Sequence, residues 1–174
     1  MIRSDFPVGQ ELIRIEYELF DWGERPSPEA SVDDVAMAVR LEWGDSSEVR
    51  VTWRNPAYWE DEGLLFGDAR RGVADSVDVS DRWSSFIGEH LEAVSFSYSM
   101  ASTRRAWAMN LRFSGNKHLV IALGELISVV PSYLPDNLVV TASEEIAKAY
   151  WPSNADGHWT ESSAWGQPMS MSDS

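Results

Sequence analysis

The sequence predicts an α+β domain dominated by a meandering antiparallel β-sheet, with an all-β sandwich as the alternative. Three observations carry that prediction. Residues 94–123 read as three consecutive strands, VSFSYSM, WAMNLRF and LVIAL, joined by ASTRRA and a Gly/Asn turn. Apolar and polar residues alternate again in 11–20 and around 35–53, the period of a half-buried strand. Two short segments, 82–91 and 143–150, carry helix signals instead.

Taken in order, Ile13, Ile15, Tyr17 and Leu19 form one face of the first strand, against Arg14, Glu16 and Glu18. Residues 21–34 hold Gly, two prolines and five acids and read as a loop. Val35, Met37, Val39, Leu41 and Trp43 then share a face, as do Val49, Val51 and Trp53; a helix over 31–41 is the alternative. Pairing Trp43 with Ser47 would oppose Arg40 to Arg50 and Glu42 to Glu48. Pairing Trp43 with Val49 opposes Glu42 to Arg50, and cross-strand charge preference selects that register with a loop at Gly44–Glu48.

Residues 55–80 read as an irregular excursion. Trp83, Phe86, Ile87, His90 and Leu91 recur at helical spacing behind Ser80 and Asp81, which predicts a helix over 82–91 weakened by Gly88. In the central stretch, pairing Met100 with Trp107 sets Tyr98 on Met109, Phe96 on Leu111 and Val94 on Phe113, every pair apolar. Pro131 and Pro135 bracket a loop, and LVVT (138–141) is a short strand. Ser143 caps a helix with Glu144 and Glu145 in its first turn and Lys148 near its end. One domain is expected over 1–152, with a loop-like tail over 153–174 that Trp151, Trp159 and Trp165 would pin to the body.

Composition narrows the partners. The 174 residues carry 28 acids against 14 bases, a formal charge of −14. Residues 1–92 hold 21 acids and 9 bases, a net of −12. Such a chain repels nucleic acid and anionic membrane and attracts basic partners. Cysteine is absent, so disulfides and thiolate metal sites are excluded. The N-terminal MIRSDFPVGQEL has no apolar core of a signal peptide, and the apolar run Leu119–Val130 is short and interrupted by Gly124, Glu125 and Ser128. A cytoplasmic protein is expected.

Catalytic signals are missing. His90, His118 and His158 are isolated, and no paired-His spacing, P-loop, G-x-G-x-x-G or G-x-S-x-G occurs. Asp75, Asp78 and Asp81 lack the spacing of a calcium loop and read as a solvated face. No catalytic residue, metal or cofactor is expected, and the balance leans against an enzyme. The densest aromatic–acidic cluster is Trp59, Glu60, Asp61 and Glu62, beside Trp53 and Tyr58. Aromatic anchors flanked by charge suit a protein interface or a sugar-stacking platform. Trp53 itself reads as a core residue.

The segments LVIALGEL (119–126) and YLPDNLVVTASEEIAKAYWP (133–152) carry one resemblance. Residues 105–152 resemble the C-terminal half of small bacterial proteins found among immunity proteins of polymorphic toxin systems. The resemblance implies a protein without catalysis of its own that binds a cognate toxin tightly, often presenting an acidic surface to a basic toxin. It transfers no functional residue. A carbohydrate- or small-ligand-binding module is the competing expectation.

Overall fold

The structure, a computed structural model, describes residues 6–20, 31–54, 63–67, 75–98, 105–128, 130–149 and 159–161. In chain order the elements are β1 (Leu12–Leu19), β2 (Val32–Val35), β3 (Ala38–Trp43), β4 (Glu48–Arg54), β5 (Gly63–Phe66), β6 (Asp75–Asp78), β7 (Leu91–Tyr98) and β8 (Ala106–Phe113). There follow β9 (Lys117–Leu123), β10 (Glu125–Ile127), β11 (Val130–Ser132), β12 (Leu138–Thr141), α1 (Glu144–Ala149) and β13 (Thr160–Glu161). A first sheet has the order β5-β4-β3-β1-β6, and a second has β13-β7-β8-β9-β12-β2. Strands β10 and β11 pair as a separate ribbon. The architecture is mostly antiparallel sheet, and the all-β alternative fits it.

The expectation of two helices is corrected. Residues 82–88 run as successive turns, with Arg82 N bonded to Val79 O, Phe86 N to Trp83 O and Glu89 N to Phe86 O. Gly88 (φ 83°) reverses the chain and bonds Leu12 O at 2.8 Å. Trp83 and Phe86 are buried as their spacing required, but His90, expected on an apolar face, is exposed. Only the C-terminal helix forms, and it is six residues long. Ser143 Oγ accepts the Ile146 amide at 3.3 Å, satisfying an amide that the helix start leaves open.

Side chains of both sheets meet in one core. Trp43 of β3 stacks on Phe113 of β8 at 6.2 Å, and Phe66 of β5 meets Phe96 of β7 edge-on at 5.6 Å. The expected single strand 35–43 is in fact two. The chain leaves the second sheet after Val35 and enters the first at Ala38. Trp53 Nε1 donates to Ala36 O (2.9 Å) and Thr52 Oγ1 to Met37 O (2.6 Å), so the crossing strands no carbonyl in the interior.

Registers depart from expectation twice. Strand β7 opposes Phe96 to Met109 and Val94 to Leu111, two residues from the expected pairing. A two-residue shift keeps every side chain on its face, so apolar still meets apolar. In the β3–β4 hairpin, Leu41 faces Val49, Arg40 faces Arg50 and Glu42 faces Glu48, the like-charge register set aside above. Turn chemistry supports it: Trp43 N bonds Ser47 O at 2.9 Å, and Ser46 takes the left-handed conformation (φ 63°). A three-residue loop closing through a left-handed third residue is a favoured hairpin. Gly44 sits where an added Cβ would lie 2.9 Å from Glu11 Cγ, so β1 and this turn approach closely only because the residue is glycine.

Smaller corrections follow the same logic. A bulge between Leu12 and Arg14 buries Leu12 and turns Ile13 outward. The expected irregular stretch 55–80 contains β5 and β6 as the two edges of the first sheet. Pro131 lies within β11 rather than in a loop. The tail returns to the body, where β13 pairs with β7 and Trp159 packs on the core.

A buried polar cluster ties the sheets together. Tyr17 of β1 donates its hydroxyl to Asp33 Oδ2 of β2 at 2.8 Å, and Trp83 Nε1 donates to that same hydroxyl at 2.6 Å. Arg82 pairs with the Asp33 carboxylate and lies over the Trp83 ring. Burial, then the Asp33 charge, pushes the Tyr17 phenol well above its ordinary value of 10.0. Because the folded protein holds that proton more tightly, the stabilisation is full below the unfolded value and is lost as pH rises beyond it. Asp33→Ala removes the carboxylate that Arg82 and Tyr17 share and is expected to cost about 3–5 kcal/mol in urea unfolding. Tyr17→Phe should cost about 1–2 kcal/mol at neutral pH and flatten the alkaline fall in stability.

Candidate functional site

The outer face of the first sheet is a lattice of charge built by strand alternation. Successive rows read Arg14–Glu42–Glu48, Glu16–Arg40–Arg50 and Glu18–Ala38–Thr52 across β1, β3 and β4. The β3–β4 rows look unfavourable in isolation, but β1 supplies the missing carboxylates. Arg50 reaches across Ala38 to Glu18, with Nε 3.0 Å from Oε1 and Nη2 2.7 Å from Oε2. Arg40 pairs with Glu48 and lies 3.9 Å from Glu16 and 3.8 Å from Glu18. Ala38 is fully buried, and its lone methyl leaves the diagonal open. Opposite charges two strands apart thus satisfy a register that adjacent-pair rules reject.

Arginines whose side chains are described, Arg105 excepted, are held by carboxylates. Arg40 and Arg50 are only 7% and 8% exposed, Arg82 is held by Asp33, and Arg14 pairs with Glu16 (2.6 Å) and Asp78 (2.8 Å). Arg112, Lys117 and Lys148 pair with Glu92 and Glu161, with Glu89, and with Glu144. Glu11, Glu42, Asp75, Asp81, Glu125, Asp136 and Glu145 make no ion pair among the described residues. Glu42 lies opposite Arg14 of β1 without an ion-pair contact, where the expected register would have set it against Arg50.

A shallow depression between Arg14, Glu16, Arg40, Glu42 and Glu48 has a void of about 170 Å³, open solvent included. Ligand clefts run to roughly 300–1,000 Å³, so it holds no metabolite-sized molecule. On the second sheet, His118 Nδ1 lies 3.1 Å from Glu144 Oε1 and 3.2 Å from Asn110 Oδ1, and Asn110 donates to Glu144. The trio fastens α1 to β8 and β9. No hydroxyl among the described residues is bonded to His118. Among the described residues, no three His, Asp or Glu side chains gather as a metal site, and no helix is long and apolar enough to cross a membrane.

Trp59, Glu60, Asp61 and Glu62 fall in the β4–β5 connection and lie outside the described residues. Trp53, at its start, is half-buried against the core. Sequence reasoning found Glu16 and Glu18 by alternation but set Glu42 against Arg50, whereas it lies between Arg14 and Glu48, since that depends on register. Comparison with protein-family models, curated proteins and solved structures returns no match. The site is read from geometry alone.

Two expectations test the lattice. Ala38→Leu fills the space over which Arg50 reaches Glu18 and should destabilise by about 1–3 kcal/mol, measured by chemical denaturation. The Asp78 carboxyl is held below its ordinary value of 3.8 by hydrogen bonds from Ser80, with Arg14 adding to them. A lowered folded value gives stability that is present above the unfolded pKa and lost as pH falls through the folded one. Asp78→Asn should therefore lower the neutral plateau slightly and flatten the acid limb of a stability–pH curve.

Proposed function

We propose that this chain is a non-catalytic binding protein that engages a basic protein partner through its acidic surface. One observation carries the reading: with the exception of Arg105, each lysine and arginine whose side chain is described is paired with a carboxylate, while Glu11, Asp75, Asp81, Glu125, Asp136 and Glu145 make no ion pair among the described residues. The chain carries a net charge of −14, and among the described residues the exposed cations Arg14, Arg112, Lys117 and Lys148 are each held by a carboxylate. Such a surface speeds encounter with a cationic partner and rejects anionic ones. The resemblance of residues 105–152 to immunity proteins points the same way, with a basic toxin domain as the partner class. Trp59 with Glu60, Asp61 and Glu62 joins this reading as an aromatic anchor set among acids. The sugar-platform alternative draws no support from the described tryptophans: Trp43, Trp83 and Trp107 are buried, and Trp53 and Trp159 are half-buried against the core.

The test is a pull-down from the native host followed by kinetics on the captured partner. The association rate should fall steeply as salt rises, Glu42→Lys and Glu11→Lys should slow it further, and Trp59→Ala should mainly speed dissociation. Binding insensitive to salt and to both charge reversals would contradict the proposal.

A further inference from the structure

We propose that the β10–β11 ribbon is an apolar anchor that docks into an apolar pocket rimmed by lysine or arginine on a protein partner. The inference rests on the acidic-binder reading and names a contact that reading does not contain. The ribbon belongs to neither sheet. Ile127 is 56% exposed and Val130 is 63% exposed, and they face each other across the ribbon. The other exposed large aliphatics, Val8, Ile13 and Leu65, lie on separate elements. Two opposed aliphatics at a projecting tip form a patch, whereas single ones are ordinary surface.

Alternation along the ribbon separates its two faces. Leu126 packs on the core, while Glu125, Ile127, Val130 and Ser132 share the other face. The root is fastened on both sides. Asp34 accepts the Leu126 amide at 2.9 Å and a hydrogen bond from Asn137 Nδ2, and Gly124 N bonds Asn137 O at 3.0 Å. At the tip, Ser128 holds the left-handed conformation (φ 49°), which non-glycine residues adopt mainly where the surroundings impose it. A patch held this way loses little freedom on binding.

Charge selects the occupant. The ribbon carries Glu125, Asp136 follows it in the chain, and α1, which contacts β11, carries Glu144, Glu145 and Lys148, of which Lys148 pairs with Glu144, so the charge around the ribbon is net negative. An anionic lipid surface is repelled by that rim, and a second copy would bring two acidic rims together. A pocket with a cationic rim complements both the aliphatic tip and its surroundings.

The experiment measures binding of the full chain to synthetic peptides with a Leu/Trp centre flanked by Lys and Arg, against the same centre flanked by Glu. The expected result is binding of the cationic set only. Ile127→Ser and Val130→Ser should each weaken it by about tenfold or more with unchanged melting temperature, and amide protection should rise at 124–132. Equal binding of the Ser variants, or of the Glu-flanked peptides, would overturn the proposal. So would a concentration-dependent dimer abolished by Ile127→Ser, or tip-dependent binding to phosphatidylserine vesicles. Peptide binding lost in Glu11→Lys and Glu42→Lys but kept in the Ser variants would overturn the ribbon and leave the sheet-face reading standing. The reverse pattern would support the ribbon and remove the sheet face.

Discussion

Glu18 is a carboxylate almost wholly removed from water, and the first sheet is arranged around meeting its charge. An isolated buried carboxylate is costly enough that it must find a cation with good geometry. Arg50 provides it, two strands away, through three short contacts. For that reach to exist, Ala38 must stand between them, and β4 must sit so that Arg50 follows Thr52 in the rows facing β3. The same placement leaves Arg40 to Glu48 and Glu16, and sets Glu42 opposite Arg14 of β1. One buried charge thus connects strand register to the pairing of the charges on this face.

The second sheet is joined to the first by a similar constraint. Asp33 enters the interior from β2, and its carboxylate is met by Tyr17 of β1 and by Arg82 of the turn segment. Since β2 and β3 are consecutive but belong to different sheets, the Ala36–Met37 crossing is fixed from both sides. Aromatic contacts between Trp43 and Phe113, and between Phe66 and Phe96, fill the space that these polar ties define. The hydrophobic term supplies most of the driving force for such packing. The polar ties decide which packing is allowed.

Much of this was legible in the sequence, and the rest was hidden for identifiable reasons. Alternation found β1, β7 and β8 and most of their apolar faces, Ile13 excepted, because a period of two is a direct consequence of the pleat, and short apolar runs marked β9 and β12. It did not resolve the β7–β8 register, since a shift of two residues preserves both faces. The β3–β4 register was misjudged because only adjacent pairs were weighed, whereas Glu18 lies on a third strand 32 residues from Arg50. Trp83 and Phe86 mimicked a helix because successive turns place every third residue on one side. The ribbon was hidden by Pro131 and by strands of three residues. For the site, the excess of acids was plain from composition, but the withdrawal of the arginines into pairs emerges only with the fold in place.

The register of the first sheet therefore rests on the Glu18–Arg50 pair, and with it the way the charges on that face are matched. The most direct measurement is a double-mutant cycle on that pair, comparing Glu18→Leu, Arg50→Met and the double variant by urea unfolding. The structure predicts a coupling energy above about 1.5 kcal/mol, with the double variant more stable than the sum of the single losses implies. Additive losses, with a coupling below about 0.5 kcal/mol, would contradict it.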